Sequence, residues 1–566
     1  MPFRSPVSDF RFILDHVVDF SAVAATEKFA EATPETVDAI LSEAGKLCDE
    51  VIAPLNRSGD LHPATLENGV VRTSPGFAEG YRAIAEGGWI GICADPGNGG
   101  MGLPLTLATA VNDMMSGACL ALQLNPLMSQ GQIEAIEAHA SDEIKQTYLP
   151  KLISGEWTGT MNLTEPQAGS DVGALATKAE PLGDGSFAIT GQKIFITWAD
   201  NDFAENICHL VLARLPDGVP GTKGISLFMV PKFIPNADGT LGERNALRVV
   251  SLEHKLGLHG SPTAVMSYEG ARGWLVGPAH GGMAAMFTMM NNARLGVGTQ
   301  GIGAAEGAYQ AAYAYAMDRK QGRVGGTGTI IEHADVRRML AGMKADIFVA
   351  RSIALACGTA IDMGHATGSD KWKARAALLT PLAKAFGTDI GVEVASTGIQ
   401  VHGGMGFIEE TGAAQYLRDV RVTAIYEGTN GIQAMDLVGR KLMDGGEAAF
   451  RLLDEIEAGA ERAKGTLPDM AEAVWDSAET LRETIEWLVA QDIADRFAVA
   501  VPFLRGFARV LGGHYHLTAA IAGDDRRKRL ARFYIERLLP EHTGLFAHVR
   551  QGSAALMEIS PDDLAA

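Results

Sequence analysis

Tyr426-Glu427-Gly428-Thr429-Asn430 puts a carboxylate on a tight turn near the end of a helical region, ahead of an amphipathic run with Ile432, Met435, Leu437 and Val438. A second segment lies upstream. Thr164-Glu165-Pro166-Gln167-Ala168-Gly169-Ser170-Asp171 is a polar loop at the point where the pattern turns from helical to strand-like. Either segment alone reads as a surface turn, since Gly, Pro, Asp and Ser favour turns and a solitary Glu is usually solvated. As a pair they supply the parts of a site. Gly169 lets the backbone approach a ligand closely, Thr164 and Ser170 offer hydroxyls, and Glu427 offers a base.

Around these segments the pattern changes three times. Residues from about 8 to 155 read as helical. Thr33-Pro34 is a helix start, a capping hydroxyl followed by Pro at the first helical position. Residues 34–50 and 76–87 carry apolar residues at three- and four-residue spacing. Ser141-Asp142-Glu143 opens a helix that passes Pro150 and stops at Gly155. Residues 156–285 hold short strand-like runs, among them Phe187-Ala188-Ile189-Thr190, residues 208–213 and residues 225–230. Turn residues divide them at Gly183-Asp184-Gly185, Pro216-Asp217-Gly218 and Asn236-Ala237-Asp238-Gly239. Long Ala- and Met-rich helical segments return from Met283 to Arg440, around a loop at 322–328 that reads as mobile. Gly445-Gly446 marks a boundary before further amphipathic helices such as 525–538. The expected fold is α+β and multidomain. It comprises an extension (1–34), an N-terminal helical domain (35–155), a middle antiparallel β domain (156–285), a C-terminal four-helix bundle (286–443) and an additional helical domain (447–566).

The bulk properties narrow the function. A chain of 566 residues is too long for one core, so about three or four domains are expected. A net charge of −20 argues against nucleic acid or an anionic membrane as the main partner. The basic run Arg526-Arg527-Lys528-Arg529 has no accompanying aromatic ladder. The five cysteines are scattered without a C-x-x-C, which suits buried thiols in a reducing cytoplasm. The opening residues lack the basic region and apolar run of a signal peptide. No charge falls between Asp113 and Glu134, but polar residues interrupt the stretch, so it reads as a buried helix broken at Pro126 rather than a membrane span. The methionines at 114, 115, 128, 283, 286, 289 and 290 read as core packing. His259, His280 and His402 lack metal-like partners and read as structural, and no metal is expected.

The loop 164–171 matches the T-E-P-x-A-G-S-D pattern of the acyl-CoA dehydrogenases at every fixed position, and residues 426–430 match that family's second signature. The resemblance spans residues from about 35 to 443. It implies FAD as cofactor. Met161 and Leu163, through their backbone, and Thr164 would lie along the flavin edge, and Ser170 would face the substrate or the CoA phosphates. The segment Lys193-Ile194-Phe195-Ile196-Thr197 resembles the family's next flavin stretch. There Thr197 would bond near flavin N5, Ile196 belongs to the same contact, and Phe195 stands where many members carry Trp. Arg319, together with Gln400, Gly403 and Gly404, would hold the adenosine diphosphate of a neighbouring subunit's FAD. The chain departs from the family's D-R-x-x-F-G here, reading Gln321-Gly322-Arg323-Val324-Gly325. Thr429 and Asn430 would touch FAD. Arg440 lies one residue beyond the family's spacing and stays outside the expected site.

By the same resemblance Glu427 is the base that removes the α proton of an acyl-CoA thioester, while the β hydride passes to flavin N5. Some branches carry the base just before the Arg of residues 292–294. That slot is Ala293 here, which leaves Glu427. The long lead-in and the additional helical domain are similar to the family's larger subgroup. Residues 6–14 and 257–263 resemble members that act on 3-(methylthio)propanoyl-CoA in dimethylsulfoniopropionate breakdown, so that thioester is the expected substrate. Short or medium fatty acyl-CoAs are the alternative within the fold, an oxygen-using oxidase a second. A non-catalytic flavin- or nucleic-acid-binding member is the alternative from another class. The implied partners are an electron-transferring flavoprotein and a second copy of the chain, a dimer being favoured.

Overall fold

The computed structural model describes residues 3–236, 238–322 and 325–565. Ala237 of the expected turn and Arg323 and Val324 of the loop read as mobile lie outside them. The chain opens with helix α1 (Val7–His16). Helix α2 (Pro34–Leu47) begins where the Thr33 hydroxyl accepts the Thr36 N–H at 3.3 Å, with Pro34 at its first position. The region expected to be wholly helical also contains a hairpin, β1 (Thr65–Glu67) and β2 (Val70–Arg72). Asn68 and Gly69 turn it with φ of 53° and 78°, both left-handed, as a two-residue hairpin loop requires.

Helix α3 (Leu105–His139) is the long apolar element. It is apolar enough to cross a membrane by length and composition, yet 94% of its most apolar window is buried inside the protein. Its backbone leaves helical dihedrals at Cys119 (φ −158°, ψ 94°) rather than at Pro126, which stays inside the helix. Helix α4 (Asp142–Ser154) is capped by the Ser141 hydroxyl and ends on left-handed Gly155.

The β domain is a seven-stranded sheet of β3 (Trp157–Asn162), β4 (Lys178–Pro181), β5 (Phe187–Thr197), β6 (Asn206–Arg214), β7 (Ile225–Pro231), β10 (Leu247–Leu252) and β11 (Thr263–Leu275). The short pair β8 (Phe233–Pro235) and β9 (Leu241–Arg244) stands apart. The sheet is mainly antiparallel, as expected, with one long parallel pair. β3 runs parallel to β6 along its whole length because the chain crosses over through β4 and β5 before β6 begins. One face packs on α3, where Ser129 accepts the Gly159 N–H at 3.0 Å and Gln132 donates to the Cys208 carbonyl at 2.9 Å.

Helices α5 (Gly282–Asp318), α6 (Ala334–Thr367) and α7 (Asp370–His402) form a bundle that packs on α3. Glycines bring α5 and α7 close together. A Cβ on Gly298 would lie 2.7 Å from the Ala383 carbonyl, and one on Gly301 2.4 Å from that of Gly387. Short helix α8 (Asn430–Asp436) follows the Tyr426–Thr429 turn. After Gly445 and Gly446, both left-handed, the additional domain contributes α9 (Ala500–Ala522) and α10 (Asp525–Arg537). It docks on α6 through the buried Arg509–Asp346 ion pair. The N-terminal extension clasps the same junction, where Asp9 of α1 pairs with Lys344 at 2.9 Å and with Arg527. Met114, Met115, Met286 and Met289 are wholly interior, so these methionines are core packing. Four cysteines are buried, whereas Cys93 is exposed, contrary to the expectation of five buried thiols.

Candidate active site

The loop 164–171 is organised from beneath by Lys193 on β5. This ammonium is fully buried. It donates to the Leu163 carbonyl at 3.0 Å and to the Glu165 carboxylate at 2.8 Å. Glu165 also accepts from the Thr177 hydroxyl (2.6 Å), the N–H groups of Ala176 (2.7 Å) and Thr177 (3.1 Å), and Gln167 (2.6 Å). Burial would raise this carboxyl, but Lys193 and the hydrogen bonds hold it down at about 2. The second residue of the T-E-P signature is therefore scaffold, and Gly169 and Ser170 are left exposed. Met161, Leu163, Thr164 and Thr197 are half-buried along the same edge.

Phe195 stands 59% exposed with φ 60°, and Trp198 is buried with φ 53°, next to a bulge between β5 and β11. A bulky residue at positive φ is an outlier that marks functional or strained backbone. Ile196 would border a cofactor through its backbone, since its side chain lies in the β-domain core.

One stretch of α3 joins this edge to the base turn. Trp198 Nε1 donates to the Ala121 carbonyl at 3.2 Å. Two residues on, Gln123 accepts from Gln300 of α5 at 3.0 Å, and Gln300 accepts from the Tyr426 hydroxyl. The turn itself carries Glu427 at φ 55° and Gly428 at φ 84°. Lys384 of α7, wholly buried, donates to the Gly428 carbonyl and to Asn430 Oδ1, each at 2.8 Å. Asn430 Nδ2 in turn donates to Asp389 at 2.6 Å and Thr388 at 2.9 Å. The Asn430 side chain is thus committed within the protein and organises the turn, so a cofactor would meet Asn430 through its backbone. The Thr429 hydroxyl caps α8, accepting the Ile432 N–H at 3.3 Å. Gln433 donates to the Glu427 carbonyl at 3.3 Å.

Glu427 is half-buried, and desolvation pushes its carboxyl up to about 7 against the opposing pull of Arg294 and Lys384. A carboxylate with that affinity is a competent base near neutral pH. Among the described residues its backbone N–H has no acceptor within the chain, so it is available to an incoming oxygen. Arg294 lies beside it on α5, 4.0 Å from Asp436, whose carboxylate also takes Arg440 and Lys441. Ala293 is buried and supplies no acid.

The third group lies at the end of the bundle. Arg319 follows the last residue of α5, and Gln400, Gly403 and Gly404 close α7. Tyr315 packs on His402 with ring centroids 4.5 Å apart, which ties the two ends together. The groups present fit a dinucleotide. Arg319 is an exposed guanidinium with no carboxylate partner among the described residues, open space lies over Gly403 and Gly404, and an aromatic ring stands out at Phe195. Among the described residues no cluster of His, Cys, Asp and Glu could hold a metal ion.

Sequence reading missed Lys193, Lys384 and Gln300. The signal for Lys384 was a lone cation within the apolar run 378–387. Nothing local pointed to Gln300, whose partners come from distant segments.

Four family models match in succession. They are the acyl-CoA dehydrogenase N-terminal domain (34–156), its middle domain (160–271), its C-terminal domain (280–443), and an acetyl-CoA dehydrogenase C-terminal-like domain (452–560). The chain belongs to the acyl-CoA dehydrogenases, FAD-dependent oxidoreductases that act on CH–CH groups. Within that family it is similar to the 3-methylmercaptopropionyl-CoA dehydrogenase of Ruegeria pomeroyi, 44% identical over 519 residues that cover 89% of this chain and 88% of the relative. It is also similar to the broad-specificity linear acyl-CoA dehydrogenase FadE5 of Mycobacterium tuberculosis, 32% identical over 95% of this chain and 96% of the relative. Among solved structures, Caenorhabditis elegans ACDH-11 in complex with C11-CoA shares the fold with a TM-score of 0.80 at 21% identity, over 95% of this chain and 92% of that one.

Proposed function

We propose that this enzyme oxidises 3-(methylthio)propanoyl-CoA to 3-(methylthio)acryloyl-CoA in the breakdown of dimethylsulfoniopropionate, with Glu427 as the base. The substrate reading rests on the 44% identity to the Ruegeria enzyme over most of both chains. The observation that carries the chemistry is the base turn. A half-buried carboxylate raised to about 7 by desolvation sits next to its own unpartnered N–H. The acyl group excludes more water as it binds, which strengthens Glu427 as a base. Glu427 takes the α proton, and its N–H donates to the thioester oxygen where charge develops. FAD, when bound, supplies the hydride acceptor. Met161, Leu163, Thr164, Phe195, Thr197 and the backbone of Ile196 border its ring, Thr429 lies at the turn, and Ser170 faces the CoA. Arg319, Gln400, Gly403 and Gly404 hold the diphosphate from a second copy of the chain, so the working unit is a homodimer. An electron-transferring flavoprotein takes the electrons, in the cytoplasm. A second reading, a short fatty acyl-CoA dehydrogenase, draws on a butyryl-CoA dehydrogenase of Syntrophomonas wolfei that is 37% identical over 79% of this chain.

The test is anaerobic bleaching of the flavin with a panel of acyl-CoAs. 3-(Methylthio)propanoyl-CoA is expected to bleach at the lowest concentration, and preference for butanoyl-CoA would install the second reading. Glu427→Gln is expected to lower turnover at least ~1,000-fold with flavin retained. In the unsubstituted enzyme kcat/KM falls about tenfold per pH unit below about 7, because the base must be ionised.

A further inference from the structure

Lys384 is the only cation in the run 378–387, and its side chain is completely buried between α5 and α7. Taking an ammonium out of water costs several kcal/mol unless partners replace the water. Both partners here are neutral and lie on the base turn. They are the Gly428 carbonyl and Asn430 Oδ1, each at 2.8 Å, on either side of Thr429. Asp389 of α7 is bonded to Lys384 through Asn430, and its charge also acts on Lys384. The turn needs such an anchor. Glu427 and Gly428 are both left-handed, and an L-residue there is strained unless the surroundings hold it.

The charges around Glu427 come from two helices. From α5 comes Arg294, whose charge is shared with Asp436. Arg440 and Lys441 face the same Asp436 carboxylate. From α7 comes Lys384, which has no carboxylate bonded to it among the described residues. Tyr426 is the one titratable neighbour on the turn itself, and its hydroxyl is committed to Gln300. Among the described residues the positive charge of Lys384 is therefore shared between Glu427 and Asp389 with no carboxylate bonded to it directly.

We infer that Lys384 is a positioning residue for the reaction: it ties the base-bearing turn to α7 and places a fixed positive charge beside the Glu427 carboxylate. The inference rests on Glu427 being the base. The effect has a definite sign. Burial pushes Glu427 up, and Lys384 together with Arg294 pulls it back to about 7. Without the ammonium the carboxylate binds its proton more tightly, and activity needs a higher pH. The coupling is reciprocal, since burial brings Lys384 down to about 8 and Glu427 opposes that fall.

The experiment compares the full-length, FAD-loaded enzyme with Lys384→Gln, Lys384→Met and Glu427→Gln. The readouts are kcat/KM for 3-(methylthio)propanoyl-CoA and butanoyl-CoA across neutral pH, and hydrogen exchange at the amides of residues 426–430. Lys384→Gln keeps a donor and loses the charge. Its acid limb is expected to move to higher pH by roughly one unit, with turn protection retained. Lys384→Met is expected to show the same shift, about a tenfold lower kcat and faster exchange at the turn. Should the Met variant fail to fold, the Gln variant carries the test. Acid limbs that coincide with that of the unsubstituted enzyme, while Glu427→Gln is inactive, overturn the role of Lys384 and spare the base. Turnover retained in Glu427→Gln overturns both.

Discussion

Each signature segment is held from beneath by a wholly buried lysine that donates to a backbone carbonyl, Lys193 to Leu163 and Lys384 to Gly428. The resemblance stops at the second acceptor. Lys193 meets a carboxylate, Glu165, that is itself buried and accepts from five donors. Its charge is cancelled inside the scaffold. Lys384 meets an amide oxygen, and the carboxylates that feel its charge are Glu427 and Asp389. On the function proposed above, the 164–171 loop would border the flavin and need shape without a net field, whereas the Glu427 turn would need both, and the two lysines differ accordingly. Arg319 completes the series as an exposed guanidinium with no carboxylate partner among the described residues, which suits the proposed contact to a ligand's phosphates.

The largest expected effect tests the neutralised lysine. Lys193→Met leaves the Glu165 carboxylate buried without its cation, and breaking a buried pair this way costs about 3–5 kcal/mol. The expected outcome is a large fall in melting temperature in thermal unfolding. Adding Glu165→Leu to Lys193→Met removes the orphaned charge and is expected to restore part of the loss. A melting temperature unchanged by Lys193→Met would break the comparison, because it would mean the pair is not holding the loop.

Arg319→Ala comes next. A charge-assisted hydrogen bond contributes about 1.5–3 kcal/mol, so FAD is expected to dissociate roughly 10- to 100-fold more readily, with the melting temperature of the flavin-free protein unchanged. Equilibrium dialysis of FAD measures the first and thermal unfolding the second. A fall in apoprotein stability would move Arg319 into the same class as Lys193.

These distinctions separate what the chain announces from what only folding creates. The order α, β, α, α was legible because the pattern turns from helical to strand-like and back and Gly445-Gly446 marks the last boundary, while Glu427 was singled out by the resemblance of residues 426–430 to a family signature. The hairpin at 65–72 was missed although Asn68-Gly69 is a strong hairpin signal, because the flanking strands are only three residues each. The parallel β3–β6 pair was not readable, since residue alternation carries no strand direction. The break in α3 falls at Cys119 and not at Pro126, where local preference put it. Asn430 entered the expected site through the family resemblance, whereas its side-chain partners Lys384, Thr388 and Asp389 come from α7, far along the chain. The lysines carry the same lesson. A buried cation is legible as an anomaly in an apolar run, but its acceptor is set by tertiary approach.

The smallest effect sharpens the comparison most closely, because it holds the chemistry constant. Thr33 caps α2 and Thr429 caps α8 in the same way, each hydroxyl accepting the N–H three residues on at 3.3 Å. Loss of such a cap costs about 1 kcal/mol. Thr33→Ala and Thr429→Ala are therefore expected to lower stability by similar amounts in denaturant unfolding. Only Thr429 lies between the two groups that Lys384 holds, so only Thr429→Ala is expected to lower kcat, by about threefold to tenfold for a cap loss of that size. KM for the acyl-CoA should stay nearly constant in both. If the two variants lose stability equally and neither loses rate, the base turn is no more sensitive to its anchoring than a helix end far from the site. The division between a neutralised scaffold and a charged reactive turn would then have no kinetic consequence.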